Sequence, residues 1–270
     1  MPIERASMIL SGKPVAEKIY EGLVQGLRKI SRRPKLAVIL VGEDPASLSY
    51  LRVKEKIAKR LGIGFEMFHL PGAVQEKVVE KLIEDLNQNE SISGIIVQLP
   101  LPGRFEQEKI LKKIDRRKDI DGFYSDLSAP TAQGILEILK FYKIGLEKKR
   151  VVLVGHGRLV GKPLEKLLSK QAVKPIICDL KTANLNKKLK TADIIVSATG
   201  VVGLIKPEMV TSETIIIDAG TAEAKGKLVG DVDPSVYNKV KAYSPVPGGV
   251  GPVTVACLMR NVVLAAKIIK

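Results

Sequence analysis

Short apolar runs alternate with longer amphipathic segments along almost the whole chain, and this rhythm constrains the fold more than any other feature. LAVILVG (36–42), GFEMFHL (64–70) and GIIVQLP (94–100) read as strands. Around them, PVAEKIYEGLVQGLRKI (14–30), PASLSYLRVKEKIAKRLG (45–62) and VQEKVVEKLIEDLNQN (74–89) carry helical apolar spacing. Pro14 suits a first turn and Gly62 a helix end. The rhythm restarts with RVVLVG (150–155), KPLEKLLSK (162–170), KPIICD (174–179), ADIIVSATG (192–200) and TIIIDAG (214–220). Strands separated by helices predict an α/β fold of two lobes, each a parallel sheet with helices on its faces. The second lobe is of the Rossmann-like, nucleotide-binding type. Residues 131–142 read as a connecting helix, and VTVACLMRNVVLAAKIIK (253–270) as a buried one.

Composition narrows the function classes. Hydrophobic residues make up 45% of the 270, aromatics only 4%, and Trp is absent, so core volume comes from Ile, Val and Leu. The net charge of +15 invites a nucleic-acid reading, a basic α/β binding protein. The basic residues, however, are scattered along amphipathic helices and mixed with Glu, with no Arg-rich block or RNA-stacking aromatic motif. Cys178 and Cys257 are far apart with no CxxC, which predicts buried thiols, a reducing cytoplasm and no metal site. The N-terminus shows no signal-peptide pattern, and no apolar run is expected to reach the ~18 residues of a membrane span.

Several stretches carry chemistry. Tyr50 and Lys54 are four apart on a predicted helix and share a face. A partly desolvated Lys beside a phenol can activate water or relay a proton, whereas on a basic helix the same pair is ordinarily a solvated face. Gln98 ends a buried strand, where α/β sheets bind ligands. KDIDGF holds Asp119 and Asp121; an Asp before Gly makes a turn, or grips a ligand amidine with both carboxylate oxygens. SPVPGGVGPVT (244–254) is a stiff Gly/Pro loop running into the last helix. VLVGHGRLVGKP (152–163) has strand–loop–helix character with G-x-G-x-x-x-G spacing, one residue longer than the usual dinucleotide fingerprint.

PASLSYLRVKEK, GIIVQLPLP, KDIDGF, VGHGRLVGKP, ADIIVSATG, GDVDP and PVPGGVGPVTVACLMRN occur in this order, and the chain resembles the methylenetetrahydrofolate dehydrogenase/cyclohydrolase family. The resemblance implies oxidation of 5,10-methylenetetrahydrofolate with a nicotinamide cofactor, then hydrolysis of the methenyl product to 10-formyltetrahydrofolate. By position it makes Lys54 the catalytic lysine, Tyr50 its neighbour and Gln98 the residue that tunes it. It makes Asp121 the pterin anchor, and puts Leu99, Pro247, Gly248 and Gly251 on the folate side. Gly155, His156, Gly157, Arg158, Val160, Gly161, Asp179, Thr182, Thr199, Gly200 and Thr221 fall at cofactor positions. The resemblance also implies a homodimer, a folate-binding lobe of 1–130 with 246–270, and a nucleotide lobe of 131–245, the last helix returning to the first lobe.

The chain departs from the family pattern in places that bear on the cofactor. The family usually reads G-R-S-x-x-V-G-x-P, its Arg helping to bind the 2′-phosphate of NADP; His156 and Gly157 stand at the Arg and Ser positions. Where the family has C-H-S-x-T, this chain has Cys178-Asp179-Leu180-Lys181-Thr182, so Leu180 replaces a phosphate-binding Ser. An Asp ending the second strand is the ribose acid of NAD sites and repels a 2′-phosphate. NAD is therefore expected over NADP, although Arg158 and Lys181 could reach a phosphate. SAPTAQG (128–134) replaces P-C-T-P-x-G, and Ala222 replaces an Asn, leaving Thr221 as the backbone contact to the nicotinamide side. Three alternatives differ in what they need: a cyclohydrolase that has lost its cofactor, the nucleic-acid binder, and a dehydrogenase of amino or hydroxy acids, for which no carboxylate clamp is visible.

Overall fold

The structure, a computed structural model, describes residues 6–268 apart from 180 and 225. From the N-terminus come β1 (Met8–Ile9), α1 (Gly12–Leu27), β2 (Lys35–Val41), α2 (Pro45–Leu61), β3 (Gly64–Leu70), α3 (Glu76–Gln88), β4 (Gly94–Val97) and α4 (Gln107–Lys112). Strands β3, β2 and β4 form a parallel three-stranded sheet in that order. Its core interdigitates Ala37, Ile39 and Val41 of β2 with Val79, Ile83 and Leu86 of α3 and with Ile95 and Val97 of β4. The β-branched strands are buried on both faces, as a parallel sheet demands.

The second set comprises α5 (Pro130–Phe141), β5 (Val151–Val154), α6 (Gly161–Ser169), β6 (Ile176–Cys178), α7 (Leu185–Lys190), β7 (Ile194–Ser197), β8 (Ile215–Asp218), β9 (Ala222–Ala224), β10 (Lys227–Val229), β11 (Ala242–Tyr243) and α8 (Val250–Ile268). The main sheet runs β1-β11-β8-β7-β5-β6, all parallel, and β9 and β10 pair as a separate antiparallel ribbon. After β5 the chain crosses to β6 on one side, then returns past β5 to β7 on the other. This reversal is the switch point at which open α/β sheets bind ligands.

The chain divides into two compact units. One holds the residues up to Glu17 together with Thr131–Thr254; the other holds Lys18–Pro130 and the residues from Val255 onward. This differs from the expected 1–130 and 246–270 grouping at both junctions. The reason is local pairing: β1 adds to the edge of the larger sheet beside β11, and Gly12 N donates to Gly248 O at 2.8 Å. Past Thr254, α8 belongs with the unit that holds β2, β3 and β4, where Asn261, only 1% exposed, donates to the carbonyls of Ile120 and Ser128.

The same helix corrects the expectation about apolar runs. At 19 residues α8 is long and apolar enough to span a membrane by length and composition. It is nonetheless built as a core helix, with Val253, Val255, Ala256, Leu258 and Met259 buried and a bonded polar Asn in its interior. Cys178 and Cys257 are both buried and neither forms a disulfide, as expected.

Lys118 explains how α3 ends. It is 2% exposed, and its Nζ donates to the carbonyls of Leu86, Asn87 and Asn89 at 2.7–2.9 Å, closing the C-terminus of α3. Orphan helix carbonyls and the helix dipole both favour a cation there. Lys118→Met leaves three acceptors without this donor and is expected to cost about 2–4 kcal/mol. Urea denaturation measures it; a loss within experimental error of zero contradicts the capping role.

Candidate active site

Helix α2 begins at Asp44, whose carboxylate accepts from Ser47 N at 2.7 Å, and ends at Gly62 in a left-handed conformation (φ 74). Its buried face is Leu51, Lys54, Ala58 and Leu61, a 3–4–3 spacing with a lysine at a core position. Lys54 is 7% exposed, so the solvated-face reading does not apply to it. Its Nζ donates to Gln98 Oε1 at 3.0 Å and sits 4.9 Å from the centre of the Tyr50 ring. Gln98 Nε2 donates to Leu99 O at 2.8 Å, which fixes the amide so that its oxygen faces the lysine. Gln98 gains this position because β4 stops at Val97, while its own N–H still bonds Ile39 O of β2.

The electrostatics follow from burial. Desolvation lowers the pKa of Lys54, partly opposed by the negative charge of Asp121. Tyr50 is pushed well above the usual phenol range by burial, then by Asp121 and Tyr20, so it stays protonated. Asp121 is raised from 3.8 to about 6, chiefly by burial, with Lys54 pulling it down and Asp119 pushing it up. Lys54, Gln98, Tyr50, Leu99 and Asp121 thus come together within one unit. Asp119 takes the other role foreseen for this motif. It is buried, and its Oδ2 accepts from Tyr124 N and Ser125 N, pinning the turn that presents Asp121.

The glycine loop sits at the switch point. Gly155 follows β5 at φ +94, and a Cβ there would lie 2.5 Å from Ala198 O, so the loops after β5 and β7 are in contact. A Cβ on Gly161 would collide with Gly155 O and His156 Cα, which lets α6 start directly beneath the loop. Gly157 is different: it is exposed and a Cβ would meet nothing within 4 Å. Its missing side chain leaves room for a ligand rather than for packing. Arg158 and Val160 are half-buried in the same loop, and His156 Nε2 lies 2.7 Å from Glu165 Oε2 on α6.

Asp179 lies just past β6, exposed, with Oδ1 accepting from Lys181 N and Thr182 Oγ1 at 2.9 and 3.0 Å. These bonds, the Thr182 one first, hold its carboxyl below the usual range. The Leu180 comparison lies outside the described residues. Thr199, Gly200 and Thr221 occupy the loops after β7 and β8. Pro247 is exposed and Gly248 and Gly251 are half-buried near the start of α8, within the unit that holds the glycine loop.

Sequence reading missed two buried carboxylates that hold these loops. Asp231 Oδ2 accepts from Ser197 Oγ at 2.6 Å and Thr199 N at 2.7 Å. Asp218 accepts from the backbone of Gly220, Asp231 and Val232, and burial raises it to about 6. The GDVDP segment carried the signal for Asp231, but only the fold shows that it faces the end of β7.

The comparisons with known proteins bear on the whole chain. Residues 10–121 match the domain family described as tetrahydrofolate dehydrogenase/cyclohydrolase, catalytic domain, and residues 129–270 match its NAD(P)-binding domain. The chain belongs to the tetrahydrofolate dehydrogenase/cyclohydrolase family. Within this family, a relative named bifunctional protein FolD from Thermodesulfovibrio yellowstonii is 43% identical over 278 residues, covering 97% of each chain. The crystal structure of the bifunctional FolD dehydrogenase/cyclohydrolase from Campylobacter jejuni superposes with a TM-score of 0.92 at 36% identity, covering 97% of this chain and 99% of that one. The Trypanosoma brucei FolD enzyme, solved with NADP and an inhibitor, gives 0.91 at 30% identity over 97% and 98% of the two chains. Among the described residues no group of three or more His, Cys, Asp or Glu could hold a metal ion.

Proposed function

We propose that this chain oxidises 5,10-methylenetetrahydrofolate to the methenyl form with a nicotinamide dinucleotide and then hydrolyses that product to 10-formyltetrahydrofolate. Family membership supports the reaction pair. The observation that carries the assignment to residues is Lys54, an amine buried on α2 and hydrogen-bonded to Gln98.

The dinucleotide fits the larger unit. Gly157 offers open space beside the N-terminus of α6, whose dipole suits a pyrophosphate, and Asp179 offers a fixed carboxylate to ribose hydroxyls. Gly155, His156, Arg158, Val160 and Gly161 would line the phosphates, with Thr182, Thr199, Gly200 and Thr221 at the neighbouring strand ends. When bound, NAD(P)+ supplies the hydride acceptor. The protein's share of that step is positioning, which can supply much of the rate.

Hydrolysis needs proton transfer, and this falls to Lys54. With its pKa lowered by burial, Nζ takes a proton from water as the water oxygen bonds the methenyl carbon. It returns that proton to N5 as the carbon–N5 bond breaks, while the hydroxyl on the carbon releases its remaining proton to solvent and becomes the carbonyl, leaving the formyl group on N10. Gln98 holds Nζ in place by accepting one of its hydrogens, Tyr50 packs over the reacting carbon, and Asp121 accepts from the pterin donors, with Leu99 next to Gln98 on the same side. Decay of methenyltetrahydrofolate on adding the purified protein without cofactor tests the assignment. Decay no faster than in buffer contradicts it.

Asp121 adds a pH signature. Its pKa of about 6 means that the pterin-accepting carboxylate is present above that pH and lost below it. KM for folate substrate is therefore expected to rise as pH falls through about 6, and Asp121→Asn to raise it by about ten- to a hundredfold at neutral pH. The stability sign is the opposite. A carboxyl raised above its ordinary 3.8 favours folding while protonated, and that contribution is lost as pH rises through about 6. The Tm gain of Asp121→Asn should thus be larger at pH 8 than at pH 4; a gain independent of pH contradicts the burial account.

For the cofactor, Asp179 and the absence of the Arg and Ser at positions 156 and 157 support NAD over NADP. Cytoplasmic residence is consistent with two buried cysteines outside any disulfide. A homodimer is the expected assembly, and sedimentation at the monomer mass would exclude it.

A further inference from the structure

We propose that Glu165 is a specificity-determining residue that acts through position 156: it binds the side chain there and cancels the charge of any cation, so that position 156 offers a 2′-phosphate nothing to bind. The inference rests on the nicotinamide-dinucleotide reading of this loop.

Strands β5 and β6 are parallel neighbours with Val154 opposite Cys178, and Gly155 N donates to Cys178 O at 2.8 Å. His156 and Asp179 therefore leave the same sheet edge, one residue apart in register, where the adenosine ribose of a dinucleotide lies in such folds. Glu165 reaches this place from a different element, α6, and its Oε2 lies 2.7 Å from His156 Nε2. A carboxylate only accepts, so the ring donates from Nε2. The two side chains are 30% and 41% exposed, so the pair stands at a surface that a ligand can reach.

Two carboxylates from separate elements thus act at one ligand position. Asp179 acts directly on the ribose, while Glu165 acts by taking up the hydrogen-bonding capacity of residue 156. On this account a cationic residue at 156 does not by itself create a phosphate site, because Glu165 forms a bidentate pair with it first.

Affinities of NAD+, NADP+ and the fragment 2′,5′-ADP, measured by calorimetry on the full chain, test this with His156→Arg, His156→Arg/Glu165→Ala and His156→Arg/Glu165→Gln. The single variant is expected to bind 2′,5′-ADP no more than about threefold better than wild type, and the double variants about tenfold or more better than the single one. The NADP+ to NAD+ affinity ratio should follow the same order. A merely structural role for Glu165 lowers affinity for all three ligands alike and leaves that ratio unchanged, which would overturn the inference. Equal binding of 2′,5′-ADP by single and double variants overturns it as well, and leaves the NAD reading standing. A wild type that binds NADP+ more tightly than NAD+ overturns both.

Discussion

Lys54→Met is expected to slow methenyl hydrolysis by about 10²–10⁴-fold, the usual worth of a positioned acid–base group. The oxidation step should fall much less, because it depends on holding two reactants together rather than on a proton relay. Methenyltetrahydrofolate should then accumulate while reduced cofactor continues to form. The wild-type hydrolysis rate should rise with pH through the lowered pKa of Lys54, and that limb should vanish in the variant. Stability should change little. The substitution removes a buried amine, which favours folding, but it leaves Gln98 Oε1 without the donor it has at 3.0 Å. Single-turnover absorbance measurements separate the two steps. Equal losses in both would make Lys54 a binding or structural residue instead.

Asp179→Ser is expected to shift the ratio of kcat/KM for NAD to that for NADP by about a hundredfold toward NADP. Two effects add. The carboxylate is held by Lys181 N and Thr182 Oγ1 in an orientation suited to ribose hydroxyls, and losing it removes a charge-assisted hydrogen bond. It is also an exposed anion with its carboxyl below the usual range, so removing it relieves repulsion of a doubly charged phosphate. Because the site is exposed, the second effect should shrink as salt rises from low to physiological strength. Steady-state kinetics with both cofactors at two ionic strengths checks this. An unchanged ratio would assign the selection to other residues, Arg158 and Lys181 first.

The parallel sheets were legible because β-branched runs buried on both faces have few other destinations. Thus β2, β4, β5 and β8 lie where their apolar runs predicted, with ends shifted by a residue or a few. Strand β1 was not legible: two residues carry no period, and only pairing with β11 makes them a strand. Lys54 was visible as half of an i, i+4 pair, but the pair alone reads more readily as a solvated face than as a buried one. The spacing Leu51, Lys54, Ala58, Leu61 carried the information on burial, and a lysine inside an apolar stripe is the kind of local conflict that marks a site. Asp218 and Asp231 were hidden for a different reason. They are separated by the β9–β10 ribbon and meet only through the tertiary fold. Glu165 is nine residues from His156 across a loop, a separation at which no periodic pattern predicts contact.

One measurement tests the central claim most directly: methylenetetrahydrofolate oxidation by the purified protein, run in parallel with NAD and NADP, with each reaction followed through decay of the methenyl product. The account predicts reduction of both cofactors with higher kcat/KM for NAD, and methenyl decay faster than in buffer. No reduction of either cofactor, with rapid methenyl decay, would contradict it by leaving a cyclohydrolase alone. Higher kcat/KM for NADP would contradict the role given to Asp179.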